Sequence, residues 1–489
     1  MKLRNLLQDV NYLETVNLED ILDDEVNGIS YNSKTTQQGD IFICIMGEHV
    51  DGHEYAEDAL LNGALVCVVE RRLSINAPQI IVESAEESIA CISSAFYANP
   101  SSKVNVIGVT GTNGKTTVSH LIQKLYERFN QKCVLIGTLG YKFKSEGEKY
   151  HSTGHTTPQA PELQRLLYYA NERCHDNVVM EVSSHSLVQH RVDYIDFNGA
   201  VFTNLTQDHL DFHITMENYF RAKSILFENL VSGDFAVINA DDAYAERFKE
   251  VISPNVNIYT YGIASNADVR AKNIKFNNDG ASFTCAVKGK EYKVNMLMNG
   301  MFSVYNVLAA TATALALGFD IENALKTFEQ IRGVAGRFEV IVNKPTVIVD
   351  YAHTPDGLEN VLKASREITP DNGNLICLFG CGGDRDATKR PKMGEIAERL
   401  ADKVIVTSDN PRSENPEQII TDILAGFKST SEVLVVPDRE LAIKEAYKLA
   451  NANDVVLIAG KGHEDYQILA DKTIHFDDRE KVREIFIGD

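Results

Sequence analysis

The sequence has no run approaching the ~18 consecutive apolar residues that a membrane-spanning helix needs. Its opening stretch, MKLRNLLQDVNYLETVNLED, turns acidic where a signal peptide would need an apolar core. The expected address is therefore the cytoplasm, away from membranes. Paired cysteines are missing as well. The eight cysteines are dispersed, and Cys377 and Cys381, four apart, have no second pair to complete a zinc site. Buried free thiols in a reducing compartment are expected. Positive charge is scarce: 48 Lys and Arg stand against 69 Asp and Glu, a formal net charge of −21. That disfavours nucleic acid and anionic membrane as partners, but a local basic site for an anionic small molecule remains compatible with it. Short internal repeats and low-complexity segments are absent too.

What is present is a globular composition, 44% hydrophobic and 24% charged, in a chain of 489 residues that is too long for one core. The patterning predicts an α/β protein of three domains. A small α/β domain spans 1–101, with strands near Asp40–Met46 and Ala64–Val69 and a helix near Tyr55–Leu61. The polar stretch Tyr97–Lys103 reads as a linker. The second domain, 102–333, alternates strands (Val104–Thr110, Val178–Val182, Ala200–Thr203, Phe235–Asn239) with helices, as in a parallel sheet covered on both faces. A β-ribbon over about 258–298 and a helix near Val304–Leu317 complete it. The third domain, 334–489, repeats the pattern with strands at Thr346–Asp350, Leu375–Phe379, Lys403–Thr407, Glu432–Val436 and Asp454–Ile458, a doubly wound Rossmann-like arrangement.

The sharpest local signal is Gly108-Val-Thr-Gly-Thr-Asn-Gly-Lys-Thr-Thr117, between a strand and a helix. Glycines let backbone N–H groups wrap phosphate, the helix N-terminus adds positive potential, Lys115 reaches the outer phosphates and Thr116 suits Mg²⁺. Gly111, Thr112, Asn113, Gly114 and Thr117 complete the expected ATP loop. The spacing departs from the strict P-loop, because Val109 stands five before Gly114. Glu181 closes a strand, and the run Thr203–His213 begins at a strand end and is dense in oxygen and imidazole groups. Carboxyl ends of strands are where open α/β sheets bind ligands, and Mg²⁺ prefers oxygen.

In this order the motifs resemble the Mur ligases, the amino-acid-adding enzymes of peptidoglycan synthesis, and the likeness covers essentially the whole chain. The matching stretches are GVTGTNGKTT at 108–117, Thr156-Thr157-Pro158, EVSSHSLVQHRV at 181–192 and TNLTQDHLDFH at 203–213. Ala222-Lys223, Asn239-Ala-Asp-Asp242, Gly336-Arg337, Asp350–Pro355 and Phe379–Arg385 follow. The resemblance is to the branch that adds the third stem residue. It implies an N-terminal domain for the uridine end, a central ATPase and a C-terminal domain for the incoming amino acid. It also implies a monomer acting on UDP-N-acetylmuramoyl-L-Ala-D-Glu, with ATP and two Mg²⁺. ATP would phosphorylate the terminal carboxylate, and an amine would displace phosphate from the acyl phosphate. By the same resemblance Lys223 is carbamylated and serves Mg²⁺ together with Thr116, Glu181 and His209; on residue pattern alone Lys223 reads as a solvated charge on an exposed helix. Lys115, His209 and Lys223 are the implied catalytic set. Asn306, Arg337 and Asp350 are implied at ATP, with His353 nearby. Ser33, Thr156, Thr157, Ser183, Gln189 and Arg191 are implied at the muramoyl peptide. Departures from the family pattern are Asn32-Ser33-Lys34 for Asp-Ser-Arg, Ala335 for Pro and Ser303 for Asn.

Asp409-Asn410-Pro411-Arg412 resembles the signature of the relatives that add meso-diaminopimelate. That amino acid differs from L-lysine by one carboxylate, which an arginine fork can bind bidentately. A buried Arg412 without that partner would cost ~3–5 kcal/mol. Arg385 is implied as a second clamp, with Gly460 and Glu464 at the amino end. The competing readings are an L-lysine-adding sister, a folylpolyglutamate synthase-like ligase, and a non-catalytic nucleotide-gated regulator. Retention of Lys115, His209 and Lys223 opposes the last.

Overall fold

A computed structural model describes residues 1–47, 50–143, 149–277, 280–429 and 433–488. The chain divides into two compact units: Met1–Gly108, Asn130–Ala200 and Glu228–Asp234 in the first, Val109–Phe129, Val201–Phe227 and Phe235–Asp489 in the second.

In the first unit, β1 (Tyr12–Val16), β2 (Gly28–Ser30), β3 (Asp40–Ile43), β4 (Val66–Val69) and β5 (Gln79–Val82) form a sheet in the order β1-β5-β4-β3-β2. Only β1 runs antiparallel to its neighbour. Strand alternation sorts the side chains. Ile41, Ile43, Val66 and Val68 face one cluster with Leu3, Leu6, Ile89 and Ile92, while Phe42, Cys67 and Val69 face the other. Both faces are covered, so these strands carry continuous apolar runs. The helix Ala85–Phe96 is capped by Ser84, whose side chain accepts from Glu87 N–H at 3.1 Å. The expected linker Tyr97–Lys103 contains a 3₁₀ turn, Pro100–Lys103, with Pro100 and Ser101 buried. After β6 (Asn105–Thr110), through which the boundary of the units passes, come β7 (Cys133–Gly137), β8 (Gly140–Phe143) and β9 (Asn177–Glu181). Strand β7 pairs parallel with β9 and antiparallel with β8.

Strand β10 (Phe197–Phe202) also spans the boundary. In the second unit, β11 (Phe235–Asn239), β12 (Asn257–Gly262) and β13 (Val269–Asn277) run parallel; β14 (Gly280–Val287) and β15 (Lys290–Met296) then close an antiparallel meander. Of the ribbon expected over 258–298, β12 continues the parallel order and β13–β15 form the antiparallel ribbon. The helix Met301–Ala316 begins three residues before the expected start.

The third α/β layer holds β16 (Glu339–Asn343), β17 (Thr346–Asp350), β18 (Leu375–Phe379), β19 (Lys403–Val406), β20 (Val433–Val435) and β21 (Val455–Ala459) in the order β16-β17-β21-β18-β19-β20. Glu432, expected to open a strand, lies outside the described residues. A short ribbon, β22 (Tyr466–Ile468) with β23 (Thr473–His475), follows. Leu375, Cys377 and Phe379 pack on one face of β18 and Ile376 and Leu378 on the other, so two apolar cores flank the sheet. The cysteines are free thiols and, apart from the exposed Cys174, buried, as expected. No helix among the described residues is long and apolar enough to cross a membrane.

One buried ion pair ties the strand ends of this layer to its last helix. Arg439 meets Asp478 through Nε at 2.8 Å and Nη2 at 2.7 Å, with neither side chain exposed, and Nη2 also donates to the Ala459 carbonyl at 3.0 Å. Truncating one partner strands a buried charge. Asp478→Ala is expected to lower stability by about 3–5 kcal/mol in urea denaturation; a change under ~1 kcal/mol would show that the pair carries little of this layer's stability.

Candidate active site

The loop after β6 turns on two glycines. Gly111 has φ +147° and Gly114 φ +87°, conformations open to glycine. A Cβ on Gly111 would lie 1.9 Å from Thr203 Oγ1, and one on Gly114 2.6 Å from Asn306 Oδ1. The close approach has a cause. Asn204 accepts from Thr112 N–H through its carbonyl at 2.8 Å and from Asn113 N–H through Oδ1 at 2.9 Å. Thr203 Oγ1 donates to the Asn113 carbonyl at 2.6 Å. Segment 203–206 thereby holds the loop in shape, and the helix Lys115–Arg128 starts where the loop ends.

Two lysines converge on one carbonyl. Lys115 Nζ donates to Gly111 O at 2.9 Å and Thr112 O at 3.0 Å. Lys223 Nζ donates to the same Gly111 O at 3.0 Å and lies 4.6 Å from the Tyr219 ring centroid. Lys223 is 1% exposed, so the solvated charge that residue pattern alone suggests does not occur: its helix turns this face inward. Burial, reinforced by the Lys115 charge, pushes its ammonium pKa well below the usual lysine range.

Asp208 is the anion of this neighbourhood. His209 Nε2 lies 3.2 Å away, His353 Nε2 3.8 Å and Lys389 Nζ 4.0 Å. Burial opposes its ionisation, but His209, His353, Lys389 and Lys115 together hold its carboxyl below the ordinary carboxylate range. His353 is itself pushed down to about 4 by burial and then by Lys389.

A cavity of about 250 Å³ opens beside the loop, walled by Asn113, Thr117, Tyr305, Asn306, Arg337 and Tyr351 among others. Arg337 Nη2 donates to Thr116 Oγ1 at 3.2 Å, its guanidinium stacks 4.4 Å from the Tyr351 centroid, and its Nε is buried without a partner among the described residues. Asp350 accepts from Phe338 N–H at 2.6 Å and Ala352 N–H at 2.7 Å; burial raises its pKa. Ser303 Oγ donates back to Asn299 O at 2.7 Å, just ahead of its own helix, whereas Asn306 lines the cavity. A cavity beside a glycine-rich loop, with an orphaned guanidinium N–H, fits a nucleotide. Among the described residues no three His, Cys, Asp or Glu side chains converge as a metal cluster. Mg²⁺ at such a loop takes few protein ligands and relies on phosphate oxygens, so Thr116 suits it.

In the first unit the expected peptide-contact residues form a hydrogen-bonded group. Thr157 Oγ1 donates to the Glu181 carbonyl at 2.9 Å and accepts from Ser183 N–H at 3.0 Å. Arg191 donates to Thr157 O at 3.1 Å and to Gln189 Oε1 at 2.7 Å, leaving its Nε buried without a partner among the described residues. The Glu181 carboxylate accepts from Thr138 N–H at 2.9 Å and Oγ1 at 3.0 Å, and Thr138 Oγ1 also meets Thr156 Oγ1 at 3.1 Å. Ser33 is buried in the 3₁₀ turn Ser33–Thr35, where its carbonyl accepts from Asn62 Nδ2 at 2.9 Å.

The amino-acid residues meet at the carboxyl ends of β18, β19 and β21. Gly460, at φ +117°, leaves room where a Cβ would come 2.4 Å from Asp409 Oδ2. Asn410 Nδ2 donates to Glu464 Oε2 at 2.8 Å. Half-buried Arg412 donates through Nη1 to Gly383 O at 2.7 Å, and Gly383 packs against the Pro411 carbonyl. Arg385 is exposed and donates to Asp384 O at 2.8 Å, and it flanks Gly382 together with Arg412 Nη1. Sequence reasoning overlooked Thr138, Asp208, Lys389 and Lys461. Asp208 and Lys461 sat inside recognised motifs as charges flanked by ligand-type residues, a usable signal; Thr138 and Lys389 had none.

A glycine-rich loop beside a nucleotide-sized cavity, on sheets of largely parallel strands, defines the class as a nucleotide-dependent enzyme. Family models for the Mur ligase family catalytic domain, the Mur ligase middle domain and the Mur ligase glutamate ligase domain match residues 25–106, 109–314 and 336–462. The chain is 44% identical over 494 residues to UDP-N-acetylmuramoyl-L-alanyl-D-glutamate--2,6-diaminopimelate ligase 1 of Clostridium acetobutylicum, covering 99% of each. It is 44% identical over 490 residues to the ligase of that name from Bacillus velezensis, covering 98% of each. A solved structure of UDP-N-acetylmuramoyl-L-alanyl-D-glutamate--2,6-diaminopimelate ligase superposes with TM-score 0.68 at 33% identity, over 100% of this chain and 99% of that one. A Mycobacterium tuberculosis folylpolyglutamate synthase shares the fold at 17% identity and TM-score 0.62, over 76% of this chain and 92% of that one. This chain belongs to the Mur ligase family, with its three α/β domains.

Gly111→Ala forces a side chain into Thr203 and a residue other than glycine into φ +147°. ATP affinity by calorimetry is expected to fall at least about tenfold with the far-ultraviolet spectrum preserved. Unaltered affinity would remove the loop from the nucleotide site.

Proposed function

We propose that this chain is an ATP-dependent ligase joining meso-2,6-diaminopimelate to UDP-N-acetylmuramoyl-L-alanyl-D-glutamate in peptidoglycan precursor synthesis. The observation that carries the amino-acid choice is the grouping of Arg412, Asn410 and Glu464 on loops at adjoining strand ends, which supplies both a guanidinium and a carboxylate. A diamino acid with a distal carboxylate complements that pair.

In the reaction, the terminal carboxylate of the D-Glu residue attacks the γ-phosphorus of ATP, and the bond to the β-phosphate oxygen breaks to give ADP and an acyl phosphate. The free amine of diaminopimelate then attacks the acyl carbon; phosphate leaves with the C–O bond electrons, and the nitrogen loses its proton. Lys115 and the N–H groups where the loop meets the helix Lys115–Arg128 stabilise charge on the transferred phosphoryl, while Asn204 engages the N–H groups of Thr112 and Asn113 and so shapes the loop. Asn306, Arg337 and Asp350 hold the nucleotide, with Arg337 and Tyr351 forming one wall. Thr116, His209 and a carbamylated Lys223 are assigned to Mg²⁺, which supplies further charge neutralisation; Glu181 is assigned as a metal residue by its family motif. Thr156, Thr157, Ser183, Gln189 and Arg191 orient the peptide, and Ser33 the uridine end. Asp409 and Pro411 shape the amino-acid loop, Gly460 and Glu464 receive the amino end, and Arg385 joins Arg412 as the carboxylate clamp. The domain limits assigned to these tasks are 1–101, 102–333 and 334–489. The enzyme acts as a cytoplasmic monomer with two Mg²⁺.

L-Lysine addition is the competing reading, and Arg412 opposes it. Phosphate release and product mass, measured with each amino acid in turn, decide between them. Turnover with diaminopimelate and little with lysine is expected; the reverse would keep the ligase and overturn the specificity. Arg412→Lys is expected to raise the KM for diaminopimelate at least about tenfold while the KM for ATP moves little. Equal changes in both would take Arg412 out of the amino-acid site.

A further inference from the structure

Lys461 has no part in the chemistry above, yet it has no solvent exposure. A buried ammonium is tolerated only where its donors and its charge are matched. Its three donors are met by Glu464 Oε2 at 3.1 Å, Asn410 Oδ1 at 3.3 Å and the Tyr466 carbonyl. An ammonium has three donors, so Lys461 keeps none for a substrate and acts only on its neighbours. Asn410 Oδ1 also accepts from Ile468 N–H at 2.9 Å, which fixes the amide so that Nδ2 points at Glu464 Oε2. Two donors from two loops thus fall on the same oxygen of one carboxylate.

We propose that Lys461 is a positioning residue for the amino-acid site, holding the Glu464 carboxylate and the Asn410 amide in register for the ammonium of the incoming diamino acid. The proposal rests on the diaminopimelate ligase reading. It has an electrostatic side. Burial, and then the Asp409 carboxylate, push the Glu464 carboxyl upward, and Lys461 opposes both. The other charged or titratable groups facing this spot are Tyr351, Tyr466 and Arg439, with Arg412 beside Tyr466 and Arg439 already engaged by Asp478. Lys461 is therefore the cation in hydrogen-bond contact with Glu464. Without it Glu464 holds its proton to higher pH, and a protonated carboxyl is a poorer acceptor for an ammonium.

The test compares wild type with Lys461→Met in steady-state kinetics from pH 6 to 9 with diaminopimelate, ATP and the UDP-linked dipeptide. Expected is a KM for diaminopimelate raised at least about tenfold, with the acid limb of kcat/KM for diaminopimelate moved to higher pH by about one unit. The KM for ATP stays within about twofold. An unmoved acid limb with unchanged or uniformly altered constants would overturn the role. If Lys461→Met does not fold, Lys461→Arg decides, since it keeps the charge and alters the geometry. A raised diaminopimelate KM with the limb in place supports the proposal, and wild-type constants contradict it. Wild-type silence with diaminopimelate would sink the ligase reading itself, an outcome separate from a variant that matches an active wild type.

Discussion

The Gly111 carbonyl carries two lysines, and the arrangement of the phosphate loop follows from that. Lys115 must be cationic to serve phosphate, and it is anchored on this oxygen at 2.9 Å. Lys223 reaches the same oxygen from a buried helix face at 3.0 Å. Two like charges sharing one acceptor in a poorly solvated place are strongly disfavoured, and the more buried group gives way. An uncharged lysine amine is a nucleophile, and its carbamate would reverse the local sign beside Lys115. The carbamate proposed for Lys223 thus answers an electrostatic problem set by this chain's own packing. Segment 203–206, which keeps the Gly111 and Gly114 backbone in its positive-φ course, and Asp208, which balances the cations beyond it, belong to the same construction.

The C-terminal strand ends use a different device. Phosphate is met there by no loop; charged side chains are fixed against backbone instead. Arg439 grips the Ala459 carbonyl from below, Lys461 links the Asn410 and Glu464 loops, and Arg412 is tied to Gly383. Three cations in one small region are compensated by Asp409, Glu464 and Asp478, so the site presents both signs to its ligand. A zwitterionic amino acid with a second carboxylate suits such a surface, whereas ATP chemistry depends on the loop after β6.

Much of this was legible in the sequence. Fully buried parallel strands are continuous apolar runs, so Phe235–Asn239, Thr346–Asp350 and Leu375–Phe379 were readable to the residue. The glycine-rich loop between a strand and a helix was marked by its glycine and lysine spacing. The strands Tyr12–Val16 and Gly28–Ser30 escaped notice because one is largely exposed and the other has three residues, too short for a period to appear. Lys223 read alone as a surface charge: its burial is created by Tyr219 and by a loop 112 residues earlier. Arg439 and Asp478, 39 residues apart, carry no local mark of their pairing. Residues defined by their own backbone needs were visible, and residues defined by distant partners became visible only in the fold.

The most direct test of this account asks what Lys223 carries. The protein is equilibrated with ¹³C-bicarbonate and examined by ¹³C nuclear magnetic resonance for a lysine carbamate, in wild type, Lys223→Met and Lys115→Met. The account predicts a carbamate signal in wild type that weakens in Lys115→Met, where the neighbouring charge is gone, and disappears in Lys223→Met. A folded, ATP-binding wild type without that signal, or a signal that survives Lys223→Met, would contradict it.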